Sequence, residues 1–194
     1  DFSNASNWTM VHLDSTTGGW TIGTTPPGGP PYNIDPIAST TASIGFALYD
    51  SIVFCAVDSG YIQVASPIDL SAYPNVVLQF EEYYRVFLGH TYVQVSTNGS
   101  SWTTMEVNSA LDQKEFVKYN PTVVRLDLSA LAGGQSTVWI RFLYGGNCDY
   151  AWMVDDVAIL NQPANDLVAL GAATTPWSGF DTFTFDSLGY SIYP

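Results

Sequence analysis

Charge is scarce in this sequence, and positive charge scarcest of all. Five Lys and Arg stand against eighteen Asp and Glu, so only 12% of residues are charged and the formal net charge is −13; about 25% charged is usual. Such a field repels nucleic-acid phosphates and anionic membrane surfaces, which excludes nucleic acid as a partner and favours cations. Extended apolar runs are lacking too: none reaches about eighteen residues, so no segment is expected to insert into a membrane. Histidine is confined to His12 and His90, and cysteine to Cys55 and Cys148. There is no C-x-x-C pair, no H-E-x-x-H, no phosphate loop and no G-x-S-x-G elbow. Neither histidine stands in a recognisable catalytic pattern, so no Ser-His-Asp set is expected.

What is present is apolar and β-prone. Aliphatic, aromatic and Cys residues make up 46% of the 194 positions, enough for the core of one domain, with Ser, Thr, Asn, Gln and Tyr left to solvate the surface. Few Lys and many Thr, Ser, Gly, Tyr and Trp suit an exported protein, secreted or at the cell surface. An opening at Asp1-Phe2-Ser3 with no Met suits a processed product. Outside the cell Cys55 and Cys148 could close a disulfide worth about 4 kcal/mol; two free buried thiols are the alternative.

Period-two alternation recurs along the chain. In Val76 to Arg85, Val76, Leu78, Phe80, Glu82 and Tyr84 share one face, while Gln79, Glu81, Tyr83 and Arg85 share the other. Thr91 to Ser96 and Ser101 to Val107 form a hairpin about Asn98-Gly99, residue types that tolerate positive φ. Further strands are expected at Gly19–Ile22, Ala42–Tyr49, Tyr61–Ala65, Thr122–Leu128, Ser136–Tyr144 and Tyr150–Leu160. About nine or ten short strands with polar turns predict an all-β sandwich of two antiparallel sheets. The Pro- and Gly-rich stretch between Thr24 and Pro36 reads as a stiff surface excursion. Asn161 to Asp166 reads as a linker, so residues 1–160 form the domain and 161–194 a linker with the start of a following domain or a packed tail.

Two carboxylates across a cleft would allow glycosidase chemistry, but adjacent Glu81 and Glu82 point to opposite faces. No enzyme is expected. Glu82 continues the row of Leu78 and Phe80 and needs a partner, for which Arg85, Arg125 and Arg141 are the candidates. Asp155-Asp156 interrupts the apolar strand Met153 to Ile159, so one of the two must face inward. A buried carboxylate demands a cation, an Arg or backbone amides. A carbohydrate-binding surface is expected where Tyr83 and Arg85 lie beside Tyr92 with Gln94 and Trp139 with Arg141, as one concave platform of aromatic and planar polar groups.

Tyr150-Ala151-Trp152-Met153-Val154-Asp155-Asp156-Val157-Ala158-Ile159 resembles the closing strand of the cleaved-adhesin and MAM-like jelly-roll modules. Asp1-Phe2-Ser3 with Trp8, Ile68-Asp69-Leu70-Ser71 and Val138 to Phe142 resemble earlier segments of those modules in the same order. The resemblance implies a jelly roll, a calcium ion held by Asp1 and by Asp155 or Asp156, and non-catalytic adhesion or ligand recognition within a larger secreted surface protein. It implies a glycan or a cell-surface protein as partner, with an accessory role beside a secreted hydrolase as another alternative. Of a second acidic loop found in those modules only Asp14 remains, in Leu13 to Trp20. Asp50 and Asp58 are candidates for a different site. Asn165-Asp166-Leu167 resembles the start of a following immunoglobulin-like domain.

Overall fold

A computed structural model describes residues 1–14, 18–29, 32–53 and 55–162, and the backbone of 184–185 and 191–192. The chain divides into two compact units, Asp1–Asn161 and Gln162–Pro194. In the second, β11 (Thr184–Phe185) pairs antiparallel with β12 (Ser191–Ile192). The rest of the expected linker and tail, Asn165-Asp166-Leu167 included, lies outside the described residues.

The first unit is a sandwich of ten strands: β1 Trp8–His12, β2 Trp20–Gly23, β3 Phe46–Asp50, β4 Val57–Val64, β5 Val76–Arg85, β6 His90–Ser96, β7 Thr103–Val107, β8 Thr122–Asp127, β9 Trp139–Asn147 and β10 Ala151–Asn161. One five-stranded sheet runs β1-β4-β9-β6-β7 and the other β2-β3-β10-β5-β8, with every pairing antiparallel. We call them the first and the second sheet. The inner faces meet in a core of Ile62, Leu78, Phe80, Tyr84, Val93, Phe142, Trp152 and Val154. β5 alternates buried and half-buried residues from end to end, as its period-two pattern requires.

Three local expectations change. Ala42–Ile44 is a 3-10 turn, not strand, and a short helix, α1 (Ser129–Ala132), stands between the strands expected at Thr122–Leu128 and Ser136–Tyr144. In the β6–β7 hairpin only Gly99 has positive φ, at 72°. Asn98 acts through its side chain, accepting from the backbone of Ser100 and Ser101 at 2.9 and 2.8 Å and so holding the turn as an Asx motif.

The Pro- and Gly-rich stretch is not a free excursion. Ile34 and Ile37, 5% and 2% exposed, join Phe46, Leu48, Ala151 and Met153 in a separate apolar cluster. Those last four alternate with the inward residues of β3 and β10, so the cluster lies on the outer face of the second sheet. A cover is required there because Ala151 to Val154 is apolar on both faces of β10. Polar stitches hold the cover down. The Gly28 amide donates to Asp50 Oδ2 at 2.6 Å, the Ala38 amide to Asn120 Oδ1 at 2.8 Å, and Asn120 Nδ2 to the Pro36 carbonyl at 3.0 Å.

A disulfide joins Cys55 and Cys148 across 93 residues, tying the β3–β4 and β9–β10 connections together. Beneath it Asp149, 3% exposed, accepts the hydroxyls of Tyr84 and Tyr144 at 2.9 and 3.0 Å, together with the amides of Phe87 and Leu88. A Cβ on Gly89 would lie 1.9 Å from Asp149 Oδ2, so only glycine lets the β5–β6 turn approach this carboxylate.

If the segment is a structural cover, Ile37→Ala lowers the unfolding free energy by about 2–5 kcal/mol in urea titration. An unchanged midpoint would make the segment a mere surface loop. Reduction of Cys55–Cys148 lowers the same quantity by up to about 4 kcal/mol, through the loop entropy restored to the unfolded chain.

Candidate functional site

The residues expected to form one platform fall on opposite sides of the sandwich. Tyr83 and Arg85 point outward from β5 in the second sheet, whereas Tyr92 on β6 and Trp139 and Arg141 on β9 point outward from the first. The single platform is therefore corrected to two faces, because strand pairing, which local alternation does not specify, assigned β5 to one sheet and β6 and β9 to the other. The β5 half is also occupied by its own neighbours. Tyr83 stacks on Phe116 at 5.4 Å, and the Arg85 guanidinium lies 3.9 Å from the Tyr150 ring centroid and 4.8 Å from that of Phe116.

The outer face of the first sheet is built differently. Gln63, Arg141, Gln94 and Thr104 lie directly opposite one another on β4, β9, β6 and β7, a polar row about 14 Å long at roughly 4.8 Å per strand. Arg141 Nε donates to Gln94 Oε1 at 2.6 Å, and Gln94 Nε2 to Thr104 Oγ1 at 2.7 Å. The Arg141 guanidinium carbon is 3.8 Å from the Trp102 ring centroid and 4.3 Å from that of Tyr61. Such contacts fix a cation in place. Burial lowers the Arg141 pKa from its ordinary value, and Tyr61 opposes that. Trp139 lies against Gly99 of the hairpin turn, and Tyr92 stacks on His90. Half-buried Tyr61 and Trp102 were not foreseen. The signal was there, since Tyr61 and Gln63 flank inward Ile62 and Trp102 follows the Asn98-Gly99 turn, but only the sheet order brings them to Arg141.

Beside this row, a cleft of about 270 Å³ is lined by His90, Glu106, Asn108 and Gln113 among others, with His90 Nδ1 2.7 Å from Glu106 Oε1. Glu106 is the one carboxylate among the described residues lining it. Glu82, the other glutamate of interest, is 1% exposed inside the sandwich. None of the expected arginines reaches it: Asn108 Nδ2 and Trp152 Nε1 donate to its Oε2 at 3.0 and 2.8 Å, and its Oε1 has no partner. Burial pushes the Glu82 pKa up to about 7 against the lowering effect of Asn108 and Trp152. Asp58, hydrogen-bonded to Ser51 at 3.1 Å, is likewise raised to about 6, first by burial and then by the charges of Asp14, Asp149 and Asp50.

Asp155 and Asp156 do not divide between the core and the solvent. Their strand gains one residue against β5 between Asp155 and Ala158, and Asp156 has a φ of 48°. This bulge turns Asp156 toward the covering segment beside Asp155 and returns Val157 and Ile159 to the core. Asp155 Oδ2 accepts the hydroxyls of Ser39 and Thr41 at 2.6 and 3.0 Å, while Asp156 accepts the Thr41 hydroxyl and the Thr40 amide at 2.7 and 3.1 Å. Asp155 Oδ1 and neighbouring Glu81 Oε2 are buried without a hydrogen bond. The Glu81 pKa is raised by burial and then by the charges of Asp156 and Asp155. Asp1 is exposed, and its carboxylate accepts the Ser3 hydroxyl at 3.0 Å. Among the described residues no group of three or more His, Cys, Asp or Glu is arranged to hold a metal ion. The two orphaned oxygens do match the hard donors that calcium takes.

The fold is a jelly-roll β-sandwich. It is similar to the K3 cleaved adhesin domain of Lys-gingipain from Porphyromonas gingivalis, at 18% identity over 82% of this chain and 95% of that one, with a TM-score of 0.53. The K1 domain of the same protein is similar at 17% identity over 82% and 93%, with a TM-score of 0.52. The family 11 carbohydrate-binding module of a cellulosomal cellulase of Clostridium thermocellum aligns at 11% identity over 80% and 88%, with a TM-score of 0.45. By sequence, no protein-family model and no curated protein matches the chain.

Because the Glu82 pKa is about 7 in the folded protein and near 4.5 when exposed, the folded state holds a proton that the unfolded chain has released between these values. That contribution to stability is full below about pH 4.5 and lost as pH rises through 7. Glu82→Gln, which keeps an acceptor for Asn108 and Trp152, is expected to flatten the fall in melting temperature between pH 5 and 8. A slope identical to the parent's would reject the raised pKa.

Proposed function

We propose that this chain is a non-catalytic recognition module that works outside the cell, with the outer face of the first sheet as its ligand surface. The observation that carries this is the arrangement of Arg141 between Trp102 and Tyr61, tethered to Gln94, which is itself bonded to Thr104, before any ligand arrives. Side chains already ordered lose little entropy on binding, and flat rings beside planar amides suit the two faces and the hydroxyl rims of a sugar. The partner is accordingly a glycan, of a free polysaccharide or of a cell-surface glycoprotein. A disulfide supports a secreted or surface location, where such bonds persist. No helix among the described residues is long and apolar enough to cross a membrane. The second unit, from Gln162 onward, is read as the link to the next part of a larger polypeptide.

Catalysis is not part of the proposal. A hydrolase of glycosides needs two carboxylates facing one cleft, and Glu82 is sealed in the core while Glu106 is bonded to His90.

Calcium belongs to the proposal as a stabiliser. Asp155, with Asp156 and Glu81 beside it, would hold the ion through the oxygens now without partners. The Thr41 hydroxyl lies within that cluster, and Asp1 is the further ligand that the family resemblance implies. Neutralising three neighbouring carboxylates would pin the covering segment to β10. Elemental analysis of the purified protein should find calcium, and a chelator should lower the melting temperature by linkage of the ion to the folded state. No metal and no shift would leave the Ser39 and Thr41 hydroxyls as the whole explanation of the acids.

Glycan screening separates the two sheet faces. Tyr61→Ala and Trp102→Ala are each expected to weaken binding by about 2 kcal/mol, the scale of a central aromatic contact. Tyr83→Ala, on the opposite face, leaves affinity unchanged. The reverse pattern would move the ligand to the second sheet.

A further inference from the structure

The five basic side chains of this acidic chain are all described, and none makes an ion pair with a carboxylate among the described residues, where the His90–Glu106 contact is the one ion pair. Arg125 is bonded to Gln79 at 2.8 Å, and Arg85 rests on aromatic rings. Arg141 is the notable member of the set. It sits half-buried in the middle of the ligand face, its aliphatic stem and flat group packed between Tyr61 and Trp102, its Nε spent on a neutral amide. With eighteen acids available, a structural arginine would find a carboxylate readily. A guanidinium held in place by Gln94 and by a hydrogen bond with Tyr61, and left without a counter-charge among the described residues, can offer its remaining N–H groups to an anion through charge-assisted hydrogen bonds.

We infer that the ligand is an acidic glycan, one carrying uronate-type carboxylates, and that Arg141 receives a carboxylate while Tyr61, Trp102, Gln63 and Gln94 bind the sugar rings around it. The inference rests on the glycan reading above and narrows it. The net charge of −13 does not forbid it, because repulsion between exposed charges is largely screened beyond about 8 Å at physiological salt. On the face itself Glu106 stands opposite Tyr92, about 7 Å along β7 from Thr104, and is bonded to His90. Two rings and a tethered guanidinium also exceed what an acidic peptide needs. The flat row across four strands matches an extended chain of rings better than a single charged side chain.

The test uses the whole chain and six polymers in calorimetric titration or affinity electrophoresis. Three are acidic, namely polygalacturonate, alginate and hyaluronan; two are neutral, namely carboxyl-reduced polygalacturonate and β-1,4-galactan; polyglutamate is the sixth. At least one acidic polysaccharide is expected to bind more tightly than any neutral one, by roughly 10- to 100-fold, the scale of charge-assisted hydrogen bonds to one carboxylate. Affinity should weaken with salt. Arg141→Gln should remove that preference, with its melting temperature checked against the parent, and Arg141→Lys should restore part of it. Equal binding of acidic and neutral polymers, or a preference untouched by Arg141→Gln, overturns the acid recognition and leaves the glycan reading standing. Binding of polyglutamate alone overturns the inference in favour of an acidic peptide. Binding of none of the six overturns both the inference and the glycan reading.

Discussion

The apolar run at the start of β10 governs how the rest of this molecule is disposed. Trp152 and Val154 face the inter-sheet core, and Ala151 and Met153 face the other way. A strand apolar on both sides cannot border water on either, so its sheet must be the middle layer of three. Ile34 and Ile37 supply the third layer. The other sheet has Gln63, Arg141, Gln94 and Thr104 outward and needs no cover. Burial on one side thus leaves the outer face of the first sheet as the open polar surface.

The same layering explains the acids. Asp156 would follow Trp152 and Val154 into the inter-sheet core if β10 ran straight on, yet a one-residue bulge turns it onto the Ser39–Thr41 segment beside Asp155. Two carboxylates then serve as the fastening of the cover, and Asp155 Oδ1 and Glu81 Oε2 beside it are left without a partner. Glu82 shows the opposite solution. It stays in the core with two neutral donors, and burial shifts it toward the protonated form. Its neighbours are Trp152 and Asn108, so the carboxyl anchors the indole at the centre of the sandwich and the strand end beside the His90–Glu106 cleft. Stability, the cover and the ligand face are therefore linked through β5 and β10, the pair of strands that each carry a carboxylate on a face meant for apolar groups.

Much of the fold was legible because period-two alternation is a local property. Val76 to Arg85, the hairpin about Asn98-Gly99 and the strand from Tyr150 need only their own residues to be read. The site was legible in part. Arg141, Tyr92 and Trp139 were recognisable as outward polar and aromatic residues on a strand, yet Tyr83 and Arg85 had the same local signature and belong to another surface. Expecting Glu82 to find an arginine failed for a related reason. Hydrogen bonds from Trp152 and Asn108 come from positions 70 and 26 residues away, and no local pattern announces them.

Sequence by itself determined that this protein is a β-sandwich, that β5 has one apolar and one polar face, that the chain is strongly acidic, and that two acids break an apolar strand. These follow from composition and from the alternation of side chains along a pleated backbone, which operate over a few residues. Tertiary structure alone decided which strands are neighbours, that a Pro-rich segment is a third layer, that Cys55 meets Cys148, and that Tyr61 and Trp102 converge on Arg141. Each of those depends on contacts between residues far apart in the chain, and strand pairing is selected by the packing of the whole core rather than by the residues of any one strand.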